Sequence, residues 1–420
     1  MKVVIIGYGS RGRMYASEFK KSAEVEVVGA CDIRESQLVM AKVDFGDKIE
    51  VFSNADELFA RGKIADLCVV STQDPTHKEY AIRAMELGYH ILLEKPIATS
   101  VEDCQAIEQA AEKYNRKVYV CHVLRYAPFF ATIKAELDSG KYGKIAVISL
   151  TENVGHWHQA HSFVRGNWAI TEETTPMIIA KSCHDLDIIS YLVGEKCKSV
   201  SSFGSLEFFK RENAPKNSGE RCLDCPVQKD CLYDAEKYYI TDKDKWNGKP
   251  LDEWPRNVLV NEPTEEKLYK AIREGDYGRC AFKCDNTAID RQVLNIAFEN
   301  GVLASFVLTA FSADSYRELH IHCEKGDIYG NMKDNRLICS TFGTCAETAQ
   351  TTVIDLNAKT NGFAGHGGGD ALMVEDVIND MQGRASMGLT LISNSIRSHF
   401  IGFAAEKSRL EGGMPVTVNK

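Results

Sequence analysis

The stretch Val3–Gly12 reads VVIIGYGSRG, in which an apolar strand runs directly into a G-x-G-x-x-G turn. Gly7 permits the tight turn, Gly9 lets the backbone approach a pyrophosphate, and Gly12 lets the next helix pack closely on the strand. The N-terminus of that helix can then face the phosphates. The residues expected at a dinucleotide here are Gly7, Tyr8, Gly9, Ser10, Arg11 and Gly12.

Asp32 ends the second strand-like run and lies 20 residues after Gly12. A carboxylate at this position can accept hydrogen bonds from the ribose hydroxyls of adenosine, which favours NAD as the cofactor. Arg34 follows two residues later and could instead meet a 2′-phosphate, so NADP is the alternative.

Short apolar runs alternate with helix-like segments over residues 1–125. The strand-like runs are Lys2–Ile6, Val25–Cys31, Ile64–Ser71, His90–Leu93 and Lys117–His122. They lack strict polar alternation, as expected of strands that are buried on both faces of a parallel sheet. Residues 1–125 are therefore predicted to form a doubly wound α/β domain of the Rossmann type.

The pattern changes after residue 125. Residues 126–420 are predicted to form an α+β domain with an open antiparallel sheet, in which Asn300-Gly301 makes a hairpin turn. The region 207–284 is polar, aromatic and cysteine-bearing with weak periodicity, which predicts an insertion. An exposed sheet face would need a cover, so we expect a homo-oligomer, either a dimer or a tetramer.

The composition excludes several classes of partner. The 420 residues carry 50 Lys and Arg against 59 Asp and Glu, a net charge of −9, which opposes binding to nucleic acid. No apolar run approaches the ~20 residues of a membrane span, and the N-terminus is a core strand without an export signal. We therefore expect no membrane partner and a cytoplasmic location, where the 14 cysteines would be thiols.

Two predicted strands end in polar residues at the sheet edge where ligands of such folds bind. Lys95 follows one of them and could polarise a substrate hydroxyl, although it could equally be a solvated lysine paired with Glu94. Pro75, after the other strand, is also an ordinary start to a helix. The candidate residues at this edge are Ser71, Thr72, Pro75, His77, Glu94 and Lys95.

These motifs, together with Arg125-Tyr126, resemble the superfamily of glucose-fructose oxidoreductase, inositol dehydrogenase and MocA over nearly the whole chain. The resemblance implies a Rossmann domain and an open-faced sheet, with a pyranose or cyclitol held between the sheet and the nicotinamide. It also implies that Lys95 and His184 are catalytic and that Arg125 and Tyr126 lie near the substrate. A histidine would accept the hydroxyl proton as hydride leaves the same carbon, and Lys95 would stabilise the developing alkoxide.

One position departs from the family pattern. Sugar dehydrogenases of this superfamily typically place an aspartate four residues before the catalytic histidine, and here that residue is Ala180. Lys181 and Asp187 each lie three residues from His184 and could share its helix face, and Asp185 is adjacent to it. Any of these three residues could orient the histidine or replace the missing acid.

Residues 155–168 combine three histidines, an arginine and two tryptophans, a mixture suited to the apolar face and hydroxyls of a sugar. A metal site from the three histidines and a surface loop are the alternatives. In residues 365–370, GHGGGD, His366 either closes the substrate site or belongs to a flexible turn before a helix. The candidate substrate residues in the two segments are His156, His158, His161, Arg165, Trp168 and His366.

The predicted insertion contains a C-x2-C-x5-C motif, formed by Cys222, Cys225 and Cys231. With Cys280 as the fourth ligand, or Cys284 in its place, these thiolates could close a structural zinc site. A [4Fe–4S] cluster would use the same number of ligands, and free or paired thiols are the remaining alternative.

The favoured function is an NAD(P)-dependent dehydrogenase that acts on the CH–OH groups of a sugar, cyclitol or sugar derivative. The alternative is a glycosidase that oxidises a ring hydroxyl with bound NAD, eliminates the aglycone, adds water and reduces the ring again. Elimination needs a base besides the group that takes the hydroxyl proton. The alanine at position 180 and the three histidines of residues 155–168 therefore keep this alternative open. A non-enzymatic NAD or redox sensor is disfavoured by the acidic balance and by the full set of candidate site residues.

Overall fold

The computed structural model describes residues 1–360 and 366–418. The first domain is a six-stranded parallel sheet in the order β3-β2-β1-β4-β5-β6, with apolar cores on both faces. This confirms the predicted doubly wound α/β fold. The elements are β1 Lys2–Ile6, α1 Ser10–Lys20, β2 Glu26–Cys31, α2 Glu35–Phe45, β3 Glu50–Phe52, α3 Ala55–Ala60, β4 Leu67–Val70, α4 His77–Glu86, β5 His90–Leu93, α5 Val101–Lys113 and β6 Val118–Val120.

The second domain is built on a nine-stranded sheet in the order β14-β13-β12-β11-β7-β10-β9-β8-β15. Its elements are α6 Pro128–Asp138, β7 Ile145–Gly155, α7 His156–Gln159, α8 Met177–Ala180, α9 Cys183–Val193, β8 Cys197–Ser205, α10 Lys243–Trp246, α11 Arg256–Leu259, α12 Glu265–Glu274, β9 Arg291–Phe298, β10 Leu303–Ser312, β11 Tyr316–Cys323, β12 Gly326–Asn331, β13 Arg336–Thr341, β14 Gln350–Asp355, α13 Asn357–Thr360, α14 Gly369–Met381, α15 Ile392–Leu410 and β15 Val416–Thr417.

The sheet of the second domain is antiparallel except at one pair, since β7 and β10 run parallel. The predicted α+β class is confirmed, and the parallel pair arises because β7 enters the middle of the sheet long before its neighbour β10. Along β10, Ala304, Phe306 and Leu308 face the core while the residues between them face outward. This alternation leaves one face of the sheet open.

The C-terminal helices tie the two domains together. In α15, Ile396 and Phe400 pack in a core of the first domain, whereas Ile401 and Ala405 belong to the core of the second. The apolar side of α14, which includes Met373, packs in the core of the first domain. The range 126–420 assigned to the second domain from the sequence therefore contributes to both cores. No helix within residues 1–360 and 366–418 has the length and apolarity needed to cross a membrane.

Residues 207–284 contain α10 to α12 and two small apolar clusters, which centre on Tyr233 and Tyr239. The segment also reaches the first domain. Asn261 accepts a hydrogen bond from Gln37 and donates one to Ser36, which flank the start of α2. The insertion therefore lies beside the glycine-rich turn.

Candidate functional site

The three glycines of the turn are in the conformations and contacts that the motif predicts. Gly7 has a φ of +90°, and a Cβ on Gly12 would lie 2.0 Å from the Gly7 carbonyl oxygen. A Cβ on Gly9 would meet only Arg34, at 3.4 Å, so this side of the turn is open. No side chain caps the N-terminus of α1, which leaves its first N–H groups available to a phosphate.

An open cleft lies between this turn and the insertion. Gly9 and Ser10 line its inner side, and Asp252 and Asn261 line its outer side. Asp32 is buried at the end of β2 and accepts a hydrogen bond from the Arg34 backbone N–H, while the Arg34 side chain is 57% exposed. The backbone, the carboxylate and the arginine are thus arranged as the dinucleotide motif requires, and we infer that they fit a dinucleotide.

Arg11 and Glu94 form a buried network instead of opening onto this cleft. Glu94 accepts hydrogen bonds from Arg11 Nε at 2.5 Å, from the Tyr15 hydroxyl at 2.8 Å and from the Lys95 backbone N–H at 2.8 Å. Burial alone would raise the pKa of Glu94, but the adjacent Arg11 lowers it below its ordinary value. Arg11 also donates to Asp370 at 2.7 Å, which joins the first domain to the start of α14.

The segment Ser71–His77 lies beside the glycine turn. Ser71 donates its hydroxyl to the Gly7 carbonyl at 2.9 Å. His77 is fully buried, and its ring nitrogens lie 2.7 Å from the Pro96 carbonyl and 3.1 Å from the Thr72 carbonyl. His77 therefore holds the shape of this edge and does not present a ring nitrogen to a ligand. Thr72 and Pro75 lie on the same edge.

Lys95 and His184 come together between the two domains. Lys95 Nζ donates to the Ala180 carbonyl at 2.9 Å. His184 is buried, and within the described residues neither of its ring nitrogens has a hydrogen-bond partner. Burial lowers the pKa of His184 well below 6.5, and the charges of Lys95 and His366 lower it further. His184 is thus a neutral base with an unsatisfied buried nitrogen, as expected of a group that meets a ligand.

His366 and Asp370 form a histidine–carboxylate pair beside His184. The His366 ring lies 5.4 Å from the His184 ring, and its Nδ1 is 2.9 Å from an Asp370 oxygen. Burial lowers the pKa of His366, although the hydrogen bond to Asp370 raises it. His366 therefore lines the site, as one of the two interpretations of residues 365–370 predicts, whereas Gly365 lies outside the described residues.

Among the described residues, none of the three proposed to replace the missing acid forms a hydrogen bond or an ion pair with the His184 ring. Asp187 is bound by Arg125 through two hydrogen bonds of 2.6 and 2.7 Å. Arg125 and Asp187, predicted near the substrate, instead form a buried ion pair that anchors α9. The residue next to Arg125, Tyr126, is likewise buried and donates to Asp376 at 2.9 Å.

Lys181 and Asp185 belong to a separate buried charge network under the sheet. Lys181 lies 3.0 Å from Glu152, and Asp185 lies 2.5 Å from Arg317. Arg317 also lies 3.1 Å from Glu152, so the four charges are linked. Burial raises the pKa of Asp185 to about 6, although the charge of Arg317 opposes this shift.

The histidines of residues 155–168 divide into different environments. His158 is next to Trp254 of the insertion, at 5.2 Å between rings, and burial together with the charge of Lys181 lowers its pKa well below 6.5. His161 bonds Tyr239 at 2.8 Å inside the insertion. His156 packs edge-on against Tyr233, 5.7 Å away. Of the three, His158 borders the Lys95 site.

Arg165 and Trp168 are also placed away from the predicted sugar contact. Arg165 is buried, turned toward the cysteines, and lies 3.4 Å from Cys222 Sγ. Trp168 donates its indole N–H to the buried Asp74 at 3.3 Å, which links the second domain to the segment after β4. The cysteines that line a cavity beside Arg165 are Cys222, Cys225, Cys231 and Cys280.

Three residues near His184 were not predicted from the sequence to belong to the site: His122, His399 and Asp370. His122 lies 2.6 Å from Asp187, and its ring is 6.0 Å from His184 and 5.5 Å from His399. His399 accepts a hydrogen bond from the Ile97 N–H at 2.8 Å. Asp370 was quoted in the GHGGGD segment without a role. The signal in the sequence that could have indicated these residues was a polar side chain within an apolar stretch.

Two family descriptions match this chain. The model for the "oxidoreductase family, NAD-binding Rossmann fold" matches residues 1–122, and the model for the "oxidoreductase family, C-terminal alpha/beta domain" matches residues 134–418. The chain belongs to this oxidoreductase family, that of glucose-fructose oxidoreductase, inositol dehydrogenase and MocA. The predicted family is thus confirmed, and the protein is an oxidoreductase with an NAD-binding domain.

Several members of the family are similar to this chain. The putative oxidoreductase YteT of Bacillus subtilis is 25% identical over 373 residues, which cover 85% of this chain and 82% of YteT. The glycosyl hydrolase family 109 protein 2 of Bacteroides fragilis is 27% identical over 243 residues, about half of each chain at 52% and 55%. The structure of levoglucosan dehydrogenase in complex with NADH and levoglucosan superposes with a TM-score of 0.71 at 18% identity and covers 100% of both chains.

Proposed function

We propose that the protein is an NAD-dependent dehydrogenase that oxidises a CH–OH group of a sugar, a cyclitol or a sugar derivative. The observation that carries the proposal is the buried His184, whose unpartnered nitrogens lie in a site shared with Lys95. The site lies between the NAD-binding domain and the second sheet. The similar structure of levoglucosan dehydrogenase contains NADH and levoglucosan, which supports this class of substrate.

The side chains supply the acid–base part of the reaction. Bound NAD supplies the hydride acceptor. His184 takes the proton of the substrate hydroxyl, because its lowered pKa keeps the ring neutral at pH 7. The Lys95 ammonium, held by the Ala180 carbonyl, stabilises the negative charge that develops on the oxygen. His366 is oriented by Asp370 and provides a second base in the site.

We propose NAD as the preferred cofactor, with NADP the weaker one. Asp32 is buried at the end of β2, and its carboxylate would accept hydrogen bonds from the ribose hydroxyls and repel a 2′-phosphate. Arg34 opposes this preference, because its exposed side chain contacts the Asp32 carboxylate at 3.4 Å and could turn toward a phosphate. The affinities for the two cofactors, measured with the wild type and Asp32→Ser, test the assignment: we expect the variant to favour NADP more than the wild type does.

The transient-oxidation glycosidase is a second candidate. It is favoured by the second base, since elimination needs a group besides the one that takes the hydroxyl proton, and His366 lies 5.4 Å from His184. The partial similarity to a family 109 glycosyl hydrolase points the same way. In this case one turnover would leave the cofactor oxidised.

One experiment separates the two candidates. The protein is given NAD with a panel of free sugars, cyclitols and chromogenic glycosides, and nicotinamide absorbance and aglycone release are recorded together. We expect stoichiometric accumulation of reduced cofactor with a free sugar or cyclitol. Aglycone release that requires NAD without net reduction would establish the glycosidase instead.

We further propose a reducing compartment, in agreement with the cytoplasmic location predicted from the sequence. None of the 14 cysteines forms a disulfide, and most of them are buried. A chain with this many unpaired cysteines is suited to a compartment that keeps thiols reduced.

We also propose that the open sheet face mediates homo-oligomerisation. One row of paired residues crosses this face from β8 to β14, and its β12, β13 and β14 members are Tyr329, Ile338 and Val353. These three side chains are 38 to 49% exposed. The other members of the row are polar, so the exposed apolar patch is confined to its β12–β14 end. Such a patch on a wide sheet is typical of a subunit contact.

A further inference from the structure

The cysteines of the insertion surround one cavity because a short backbone ladder brings separate chain segments together. The Cys222 N–H donates to the Gly278 carbonyl at 2.9 Å, and the Cys280 N–H donates to the Glu220 carbonyl at 2.9 Å. This pairing places Cys222 and Cys280 side by side, although they are far apart in sequence. Cys225 and Cys231 complete the lining of the cavity.

Arg165 points into the same cavity without a counter-ion. Its side chain is 5% exposed and donates to the carbonyls of Arg279 at 2.8 Å and Tyr233 at 2.7 Å, and it reaches Cys222 Sγ at 3.4 Å. Within residues 1–360 and 366–418, no carboxylate lies within ion-pair distance of Arg165. A buried cation of this kind requires a negative charge nearby, and the Cys222 sulfur, which Arg165 contacts, is a group that can carry one.

The spacing of the sulfurs indicates which anionic centre fits. In a tetrahedral zinc site with Zn–S bonds of about 2.3 Å, the sulfurs lie roughly 3.8 Å apart. In the part of the chain that the structure describes, two groups of three metal-ligating side chains have all their ligand atoms within 4.8 Å of one another, and neither includes a cysteine of this cavity. No three of the four cysteine sulfurs therefore lie mutually within 4.8 Å, so their spacing as placed is wider than that of a zinc tetrahedron.

We propose that Cys222, Cys225, Cys231 and Cys280 ligate a [4Fe–4S] cluster and that Arg165 is its counter-charge. The iron and sulfide atoms would fill the space between the thiolates, and the net negative charge of the assembly would face the guanidinium. The proposed role of the cluster is structural, because the hydride of the sugar reaction passes to the nicotinamide and needs no one-electron carrier.

The location of Arg165 gives the cluster an effect on the ligand site. Arg165 follows directly after the helical segment Ala160–Val164, which continues from α7 and its residue His158. The cluster would thus fix the segment that carries His158, next to Trp254 of the insertion. Loss of the cluster is expected to loosen this wall of the site while the glycine turn still binds NAD.

The first test is elemental analysis of the full chain, purified without oxygen and without chelator. We expect about four iron atoms and about four acid-labile sulfides per chain, with visible charge-transfer absorption. One equivalent of zinc without sulfide would overturn the cluster in favour of a mononuclear site. Less than about a tenth of an equivalent of either metal, after reconstitution with iron and sulfide, would overturn any metal site.

Cysteine variants test the ligand set. Cys225→Ser and Cys280→Ser are expected to lose most of the iron and sulfide. Two variants serve as controls: Cys345→Ser, because Cys345 is exposed, and Cys284→Ser, because Cys284 lies outside the cavity lining and bonds the Cys280 carbonyl at 3.3 Å. Full iron content in Cys280→Ser together with loss in Cys284→Ser would contradict the proposed fourth ligand.

Arg165 is a positioning residue, and the reduction potential of the cluster reports on its charge. Arg165→Met removes the cation and is expected to make the midpoint potential more negative, because the reduced cluster carries more negative charge. Arg165→Lys keeps a cation and is expected to restore most of the shift. If both variants hold the cluster at the wild-type potential, Arg165 is not its counter-charge.

Discussion

Among the buried histidines of the site that the structure describes, His184 is the one whose ring makes neither a hydrogen bond nor an ion pair, since His122, which also lacks a hydrogen bond, lies at ion-pair distance from Asp187. His366 bonds Asp370, His399 bonds the Ile97 N–H, and His122 lies against Asp187, whereas both nitrogens of His184 are unpaired among the described residues. A buried polar atom without a partner costs free energy unless a ligand satisfies it. Its position beside Lys95 makes it the group that we expect to meet the reacting hydroxyl.

Substitution of either catalytic residue should slow turnover without loss of the cofactor. We expect Lys95→Ala and His184→Asn each to lower kcat by about 10²- to 10⁴-fold, because each removes one proton-transfer or charge-stabilising group. NAD affinity should stay close to wild type, as measured by nucleotide fluorescence titration. Lys78→Ala is the matched control, since Lys78 forms a surface ion pair with Asp103. Near-wild-type turnover in both site variants would contradict the assignment.

The burial of His161 is expected to make the folded protein less stable at acidic pH. Burial lowers its pKa to about 3, and the charge of Lys245 contributes. Because the folded state holds this ring neutral while the unfolded state binds a proton below about pH 6.5, stability is full above that pH and falls as the pH decreases toward 3. At pH 5 the cost is about 2 kcal/mol.

The measurement is the free energy of unfolding in urea at pH 7 and pH 5. His161→Gln should remove about 2 kcal/mol of the difference between the two pH values, whereas His322→Gln, at an exposed position, should leave the difference unchanged. An equal pH difference in the wild type and His161→Gln would show that His161 is protonated in the folded protein.

At the scale of elements, substitutions at Gly9 and Gly12, which flank the start of α1, are expected to have different effects. A methyl group on Gly9 has open space except for Arg34, whereas one on Gly12 would collide with the Gly7 carbonyl at 2.0 Å and with Ser71 Oγ at 2.8 Å. Gly9→Ala should therefore keep the apo melting temperature but weaken NAD binding by about tenfold or more, because the methyl group occupies the approach of the pyrophosphate.

Gly12→Ala should instead lower the melting temperature of the apoprotein, because α1 must move away from β1. Differential scanning calorimetry and NAD titration of both variants check this contrast. Equal melting temperatures together with equal NAD affinities in the two variants would refute the roles assigned to the glycines.

Elements with local signals could be predicted from the sequence. The turn Gly7–Gly12, the buried strands around it and the helix α5 with its cap Ser100 each depend on neighbours that are close in the chain. The edge strand β3 has only three residues, which is too short to show a period. The parallel pairing of β7 with β10, and α15 with its two cores, depend on distant contacts that no local pattern contains.

The candidate site was predictable to a similar extent. Lys95 and His184 were found through motifs, and the structure brings them together. Asp187 was within helical reach of His184, but Arg125 binds it on another side of α9. The pairing of His366 with Asp370 next to His184 required the C-terminal segment to return to the first domain, which the sequence does not reveal.

At the scale of the whole molecule, the open sheet face is the feature that predicts assembly. Tyr329 and Ile338 are paired across β12 and β13, near the β14 end of the exposed row. The double variant Tyr329→Lys, Ile338→Lys should convert an oligomer to monomers, because like charges at the contact would repel and remain buried without partners. Light scattering coupled to size exclusion measures the mass.

A control at the rim tests the specificity of this effect. Lys141→Glu changes one charge at a position beyond the strands of the sheet and should leave the mass unchanged. A wild-type protein that is monomeric at micromolar concentration, or a double variant of unchanged mass, would contradict an interface on this face.

In the proposed reaction, hydride passes between the substrate carbon and the cofactor in the Lys95–His184 site. The most direct measurement of this step uses a substrate from the panel that carries deuterium on the carbon to be oxidised, with NMR to locate the label after turnover. We expect one deuterium in the reduced nicotinamide per molecule of product, and no transfer above background in His184→Asn. Deuterium that returns to the released sugar would contradict a net dehydrogenase, and deuterium that never leaves the substrate would contradict hydride transfer altogether.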